Sequence, residues 1–403
     1  MSTPVRIAFR DTTENAGDFG PWDIGGAWYV LGKSSATSAA IYKSTDLGVS
    51  WVEQDDSNEP SLQGGWSSYR DGTLIHVLAN NNVNFFLKTF DTATDTWGAL
   101  SVAGPSSATP GVGGQSVIAR LTKVASGDLY AFFLVRTSNA PVQIDIQYSI
   151  YSGGVWSAPV VLISGSPGPL YHYIQGTIVD PNNLIHIFYK EGTLGNDNQG
   201  TLNHVTLTIG GVIGTPQVVD SDSTNYYSAG HSTIFGTDIL LPYFDVNGFA
   251  GVYVGDYTTP VWSFTLVDTL VHAAGVVDWG NTLAPTNAFA FEDGGTAFLI
   301  FQSTNGQIGG YTVNAVYYAR NTGGGWDAPV LFYNEVTDPG PWYGSNDPDI
   351  YAISGSLISG DLVVTSNLDC EGTAFLGSAS ITPENPLSIV CNDPPDGQVG
   401  VPY

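Results

Sequence analysis

Short apolar runs recur along the chain, set off by Gly, Asn, Asp and Ser. They are Ala27-Trp-Tyr-Val-Leu31, Leu74-Ile-His-Val-Leu78, Leu129-Tyr-Ala-Phe-Phe133, Leu184-Ile-His-Ile-Phe188, Ile239-Leu-Leu241, Ala297-Phe-Leu-Ile-Phe301 and Leu362-Val-Val364. Runs this short, bounded by turn residues, predict buried β-strands, and no long amphipathic helical pattern competes with them. Their starts lie 47, 55, 55, 55, 58 and 65 residues apart. That period holds four short antiparallel strands with their turns and exceeds most helical repeats. A second signal closes the units, clearest as Gly153-Gly-Val-Trp-Ser-Ala-Pro-Val160 and Gly323-Gly-Gly-Trp326-Asp-Ala-Pro-Val330, with echoes at Trp97, Trp262 and Ile213-Gly-Thr-Pro216. These segments read as turns from a third into a fourth strand, each ring plugging the gap between neighbouring units, which makes the tryptophans structural.

The stretch Ser44-Thr-Asp46-Leu-Gly48-Val-Ser50-Trp51 resembles the Asp-box of the sialidase-like (BNR-repeat) β-propellers, Ser/Thr-x-Asp-x-Gly-x-Ser/Thr-Trp. In such a turn the Asp carboxylate accepts local N–H bonds, the Gly supplies a positive φ and the ring anchors the turn. Ser44, Asp46, Gly48 and Trp51 meet those needs. The resemblance and the repeat together imply an all-β, seven-bladed propeller of four-stranded antiparallel blades, with six blades as the alternative. In this layout Val5-Arg-Ile-Ala-Phe9 is the inner strand of the first blade. The last blade runs from Asp349 to Ser378 and borrows Leu387-Ser-Ile-Val390 as its outer strand. The propeller spans 1–382, and 383–403 is a C-terminal strand and linker tail.

Composition supports one large β body: 403 residues, with 49 Gly, 23 Pro and 12% aromatic side chains. The net charge of −26, from 11 basic against 37 acidic residues, makes nucleic acid and anionic membrane poor partners. No apolar run suits a membrane span, and Met-Ser-Thr-Pro-Val-Arg lacks the apolar core of a secretory signal. No metal site or cofactor is expected from His/Cys spacing. Calcium is left open by Asp220-Ser-Asp222 and Asn196-Asp-Asn198, neither a complete ligand set. The two cysteines, Cys370 and Cys391, are either a disulfide closing the last blade or two free thiols.

Cys391-Asn-Asp-Pro-Pro-Asp-Gly-Gln-Val-Gly-Val-Pro-Tyr403 resembles the opening of a bacterial or phage Ig-like repeat. With the low-charge, Gly-rich body, that resemblance implies a bacteriophage virion protein, a tail fibre or capsid-associated propeller found in the virion or released by lysis. Its expected partners are a surface glycan or other virion proteins, with a homo-oligomer left open.

The strand order of sialidase-like propellers implies that ligands meet the face opposite the Asp-box. Connections assigned to that face carry Trp66, Tyr173, Tyr227, Trp279 and Trp342 beside amides, hydroxyls and imidazoles, the mixture that stacks on sugar CH groups and bonds their hydroxyls. The sialidase resemblance also implies three arginines gripping a carboxylate, with Arg6 matching the first. No Arg occurs between Arg136 and Arg320, and Lys cannot supply the planar fork. Sialidase chemistry is therefore not expected, and a non-catalytic role leads. The alternative is a polysaccharide lyase using His172, Tyr173, His231 and Arg70, or a hydrolase using two carboxylates among Asp347, Asp349, Asp278 and Asp23. His76 and His186, inside apolar strand patterns, are assigned to the blade interior.

Overall fold

The structure, a computed structural model, describes residues 5–8, 19–35, 38–60, 67–80, 84–105, 119–139, 142–165, 170–193, 196–221, 231–244, 250–268, 288–308, 311–335, 353–370 and 373–381. Each apolar run identified above becomes the second strand of one antiparallel sheet, and there are seven such sheets. Blade 1 is built from Trp22–Ile24, Ala27–Ser35, Ser38–Ser44 and Val52–Gln54, numbered outward from the axis. The inner strands of blades 2 to 7 are Ser67–Asp71, Ala119–Lys123, Leu170–Val179, Thr233–Phe235, Ala288–Asp293 and Ile353–Ile358. Among the described residues the sole helical element is a 3-10 turn at Asp56–Asn58.

Strands buried on both faces must be apolar on both, which is why these sequences run as continuous apolar segments without strict alternation. The faces pack blade against blade, and one hydrophobic cluster fills each seam. Blades 2 and 3 meet through Phe85, Leu87, Phe133 and Val135; blades 4 and 5 meet through Phe188, Leu202, Ile239 and Leu241. Blades 7 and 1 meet through Val363, Ile358 and Trp28, and Ser356 Oγ donates to Pro21 O across the same seam at 2.7 Å. The ring is thereby closed.

Closure corrects the expected layout of the first and last units. Val5–Ala8 is the outermost strand of blade 7, paired with Thr373–Ile381, and the inner strand of blade 1 is Trp22–Ile24. The reason is an exposed edge. Once Thr373–Ile381 has paired with Asp361–Cys370, its other side needs a partner, and the N-terminal strand takes the position assigned above to Leu387–Val390, which lies outside the described residues. Arg6 therefore sits at the rim of the ring and not on its axis.

The tryptophan plugs behave as expected, each facing the preceding blade. Trp97 packs in the seam of blades 1 and 2, Trp156 in that of 2 and 3, Trp262 in that of 4 and 5 and Trp326 in that of 5 and 6. Ile213, the echo without a ring, makes only a backbone bridge to Leu207 and stays exposed.

The Ser44–Trp51 turn is a closed hydrogen-bond unit. Asp46 Oδ1 accepts Ser44 Oγ at 2.7 Å and Ser50 N at 2.8 Å, while Oδ2 accepts Ser50 Oγ at 2.6 Å. Ser44 Oγ accepts Gly48 N at 2.9 Å, and Trp51 Nε1 donates to Gly48 O at 3.2 Å. Gly48 is required twice over. Its φ is +84°, and a Cβ there would lie 2.9 Å from the Trp28 ring. The Ser50 and Ser44 bonds hold the Asp46 carboxyl down at about 2. Asp46→Ala is expected to lower the melting temperature while leaving any ligand affinity intact, as unfolding and binding measured on one preparation would show. The Asp46 contribution is present above the normal carboxylate value and is lost as pH falls towards 2. Lost binding at unchanged stability would place the turn in the ligand site.

Candidate functional site

Antiparallel blades give the ring two unlike ends. One end carries every turn from first to second and from third to fourth strand. These are tight and built on positive-φ residues such as Gly25-Gly26, Gly153-Gly154 and Gly294-Gly295. Carboxylates close several of them: Asp23 accepts Gly26 N and Asp91 accepts Ala93 N. The opposite end receives the connections from second to third strands and from blade to blade.

At that second end the inner strands carry polar side chains: Ser67, Ser68, Arg120, Gln175, Thr233 and Ser354 are all buried, as is Ser232 just before the inner strand of blade 5. Several tie neighbouring blades together. Ser67 Oγ of blade 2 accepts Leu121 N of blade 3 at 3.1 Å. Arg120, only 5% exposed, donates from Nη2 to Gln175 O of blade 4 at 2.9 Å. Gln175 sits at the bulge between Ile174 and Gly176 in the inner strand of blade 4. Two buried atoms of the group, Gln175 Oε1 and Ser232 Oγ, have no hydrogen-bond partner among the described residues.

The residues singled out from sequence divide into three sets. Trp66, Tyr227, Trp279, Trp342, Asp278, Asp347 and Asp349, with Cys391, lie outside the described residues. His172 and Tyr173 are on the inner strand of blade 4, and Cys370 is on the second strand of blade 7; only their backbones are described. The third set can be placed in full, and it corrects the expected cluster. Arg70 is not in a connection. It lies on the inner strand of blade 2 next to the tight turn, exposed, with Nε donating to Gly72 O, at the opposite end of the ring from the start of the strand that holds His172. Asp23 likewise sits at the tight-turn end. His231 is a loop anchor: its Nδ1 is 3.2 Å from Ala290 O, its own carbonyl accepts Ala290 N, and its ring stacks on Phe289 at 4.9 Å. His76 and His186 are in the blade interior, with His76 Nδ1 2.9 Å from Thr89 Oγ1.

Two arrangements escaped the sequence reading. Lys190, on the second strand of blade 4 and opposite Tyr173 in register, is 2% exposed. Burial pulls its ammonium down to about 8, against the pull of Asp220. Asp220 also accepts the Tyr253 hydroxyl of blade 5. Near the outer edge of blade 1, Glu59 accepts the Ser34 hydroxyl and Glu53 Oε2 accepts Tyr42 Oη at 3.2 Å. Burial pushes Glu59 up to about 7, the Ser34 hydroxyl bond opposes the rise, and the charge of Glu53 adds to it. No cluster of three or more His, Cys, Asp or Glu that could hold a metal occurs among the described residues, and none of their helices is long and apolar enough to cross a membrane.

No family model matches the chain, and no curated protein matches it in sequence. Similarity to solved structures is one of fold. Polysaccharide lyase Uly1 superposes with a TM-score of 0.50 at 8% identity, over 93% of this chain and 96% of that one. An ulvan lyase of the PL25 family bound to -[GlcA(1-4)Rha3S]- gives 0.49 at 11% identity, over 90% and 94%. The six-bladed lectin of Aleuria aurantia gives 0.43 at 13%, over 79% and 94%. The chain is thus a β-propeller built of four-stranded antiparallel blades.

Proposed function

We propose that this propeller recognises carbohydrate at the end where the blades are connected, without cleaving it. The observation that carries the reading is the buried polar set at the inner strands, with Gln175 Oε1 unpartnered next to the Arg120 and Gln175 contact and Ser232 Oγ unpartnered at the start of blade 5. Buried polar atoms are normally satisfied, and a sugar presents the hydroxyl donors and acceptors that these atoms lack. A solved neighbour of the same fold, Uly1, is a polysaccharide lyase, and this supports the substrate class. In the finer reading, the Ser44–Trp51 turn is an Asp-box of the sialidase-like kind. The protein is then a phage tail fibre or capsid propeller, a setting that rests on sequence alone.

A catalytic reading has one observation in its favour. Lys190 has been brought by burial close to neutral pH, the range a general base for β-elimination needs. Neutral, uronate-containing and sulfated polysaccharides arrayed beside a depolymerisation assay separate the readings. Binding with unchanged chain length is expected. The double variant Arg120→Gln, Gln175→Ala should weaken that binding by about tenfold or more. If no polysaccharide is retained, the recognition reading fails. Release of unsaturated uronate, abolished by Lys190→Met, would replace it with the lyase.

A further inference from the structure

After the outer strand of blade 1, residues 55–60 reach across to blade 2 and bring an amide to a buried amine. Lys88, on the third strand of blade 2, Asn84–Asp91, is 6% exposed. Its Nζ donates to Asn58 Oδ1 at 3.0 Å and also to the Asn58 backbone carbonyl. The side-chain amide is held from its other side as well, because Asn58 Nδ2 donates to Trp97 O at 3.1 Å. Asp55 is fixed to the same backbone unit. Its Oδ2 accepts Trp97 N at 2.8 Å, while Asn58 N donates to Asp55 O at 3.3 Å. Trp97 is itself anchored in the seam of blades 1 and 2. A nucleophile, a carbonyl and a carboxylate are therefore gathered around one tryptophan backbone.

We propose that Lys88 and Asn58 join in an intramolecular isopeptide bond, with Asp55 carrying the proton, so that blades 1 and 2 become covalently linked. An amine and a primary amide are unreactive towards each other when free in water, but holding them in contact removes the entropic part of that barrier. Burial pulls the Lys88 ammonium down, against the charges of Asp55 and Glu59, which raises the share of neutral amine that attack requires. The Nζ lone pair adds to Asn58 Cγ, the carbonyl π pair moves onto Oδ1, and the Asp55 carboxylate takes the proton that Nζ sheds. Collapse restores the carbonyl and breaks Cγ–Nδ2, and the leaving nitrogen departs as ammonia with that proton returned to it. One amide replaces another, so no oxidant, metal or cofactor enters the balance. Asn58 is exposed, which gives the ammonia a way out. The bond closes a loop thirty residues long that denaturant cannot open. These residues lie away from the inner strands, and the inference is independent of carbohydrate recognition.

Mass spectrometry of the full chain tests it. The folded protein, kept at mildly alkaline pH, is expected to weigh one ammonia less than its sequence. Trypsin should then yield a branched product in which residues 44–70, which hold Asn58, are joined to residues 71–120, uncut at Lys88. Lys88→Arg keeps the cation without the nucleophile, and Asn58→Ala removes the electrophile; each should give linear peptides only. Asp55→Asn keeps an acceptor for Trp97 N but has no carboxylate to carry the proton, and should slow linkage by about a hundredfold, leaving most of the isolated chain unlinked. The full sequence mass with linear 44–70 and 71–88 overturns the proposal, as does an ammonia loss confined to a cyclic imide within 44–70. A fully linked Asp55→Asn variant overturns the part assigned to that carboxylate.

Discussion

Truncating Phe133 to Ala is expected to lower the unfolding free energy by about 3–5 kcal/mol, the range for a large aromatic removed from a rigid core. Phe133 is fully buried on the second strand of blade 3, and its ring stacks on Phe85 of blade 2 with centroids 4.8 Å apart and planes 24° from parallel. The space is defined by backbone as well as by rings. A Cβ on Gly104 would lie 2.7 Å from Phe133 Cζ, so the outer strand of blade 2 approaches as far as a glycine allows. Little is left to relax into the cavity. Denaturant midpoints for Phe133→Ala, Phe85→Ala and the pair give the coupling directly, expected at about 0.5–1.5 kcal/mol for stacked rings. A loss below about 1 kcal/mol for Phe133→Ala would mean that this seam does not carry the ring.

What the sequence made legible follows what is local. The second strand of each blade is a continuous apolar run because both its faces are covered, and Leu129 to Phe133 or Leu184 to Phe188 cannot easily be anything else. The tryptophan turns were readable for the same reason, as was the burial of His76 and His186 within such runs. Val5–Ala8 was misplaced because its residues satisfy an inner or an outer strand equally well. Membership of blade 7 depends on a partner about 370 residues away, Leu376 to Ser378, which no local pattern encodes. Arg70 was drawn into a connection because Ser67-Ser-Tyr-Arg-Asp reads as loop. Its strand is polar because Ser67 and Ser68 are buried at the connecting end, where Ser67 Oγ accepts Leu121 N of blade 3. Glu59 lies among blade 1 side chains only because the left-handed turn at Asp55, φ 49°, and the 3-10 turn after it bring the chain back to Ser34. Nothing local in the sequence marks Lys190 for burial. Its burial arises within the folded blade, where it stands between Tyr173 and Leu202 in register.

The same dependence on neighbours governs the acid limb of stability. His186 and His204 stack between blades 4 and 5 with ring centroids 5.1 Å apart, and His186 Nδ1 is 2.9 Å from His204 Nε2. Phe188 and Trp262 pack on His204 from the other sides. Asp180 Oδ2 is 3.4 Å from His186 Nε2, within reach of an ion pair, but burial outweighs it and lowers His186, so the ring stays neutral. Burial, reinforced by His186, takes His204 from 6.5 down to about 3. Between those values the unfolded chain binds a proton that the folded protein refuses, so stability falls as pH drops from 6.5 towards 3, by on the order of 4 kcal/mol for a fully expressed shift of this size. His204→Phe keeps the ring but orphans His186 Nδ1. It should therefore cost about 1–3 kcal/mol at alkaline pH while making the acid limb shallower. A residual slope will persist from His186 and from His76, which burial lowers to about 4 in blade 2. Unfolding midpoints across the range decide the matter. Stability that does not fall between pH 6.5 and pH 3, or a His204→Phe variant with the full acid slope, would show that this histidine pair is not what limits the fold in acid.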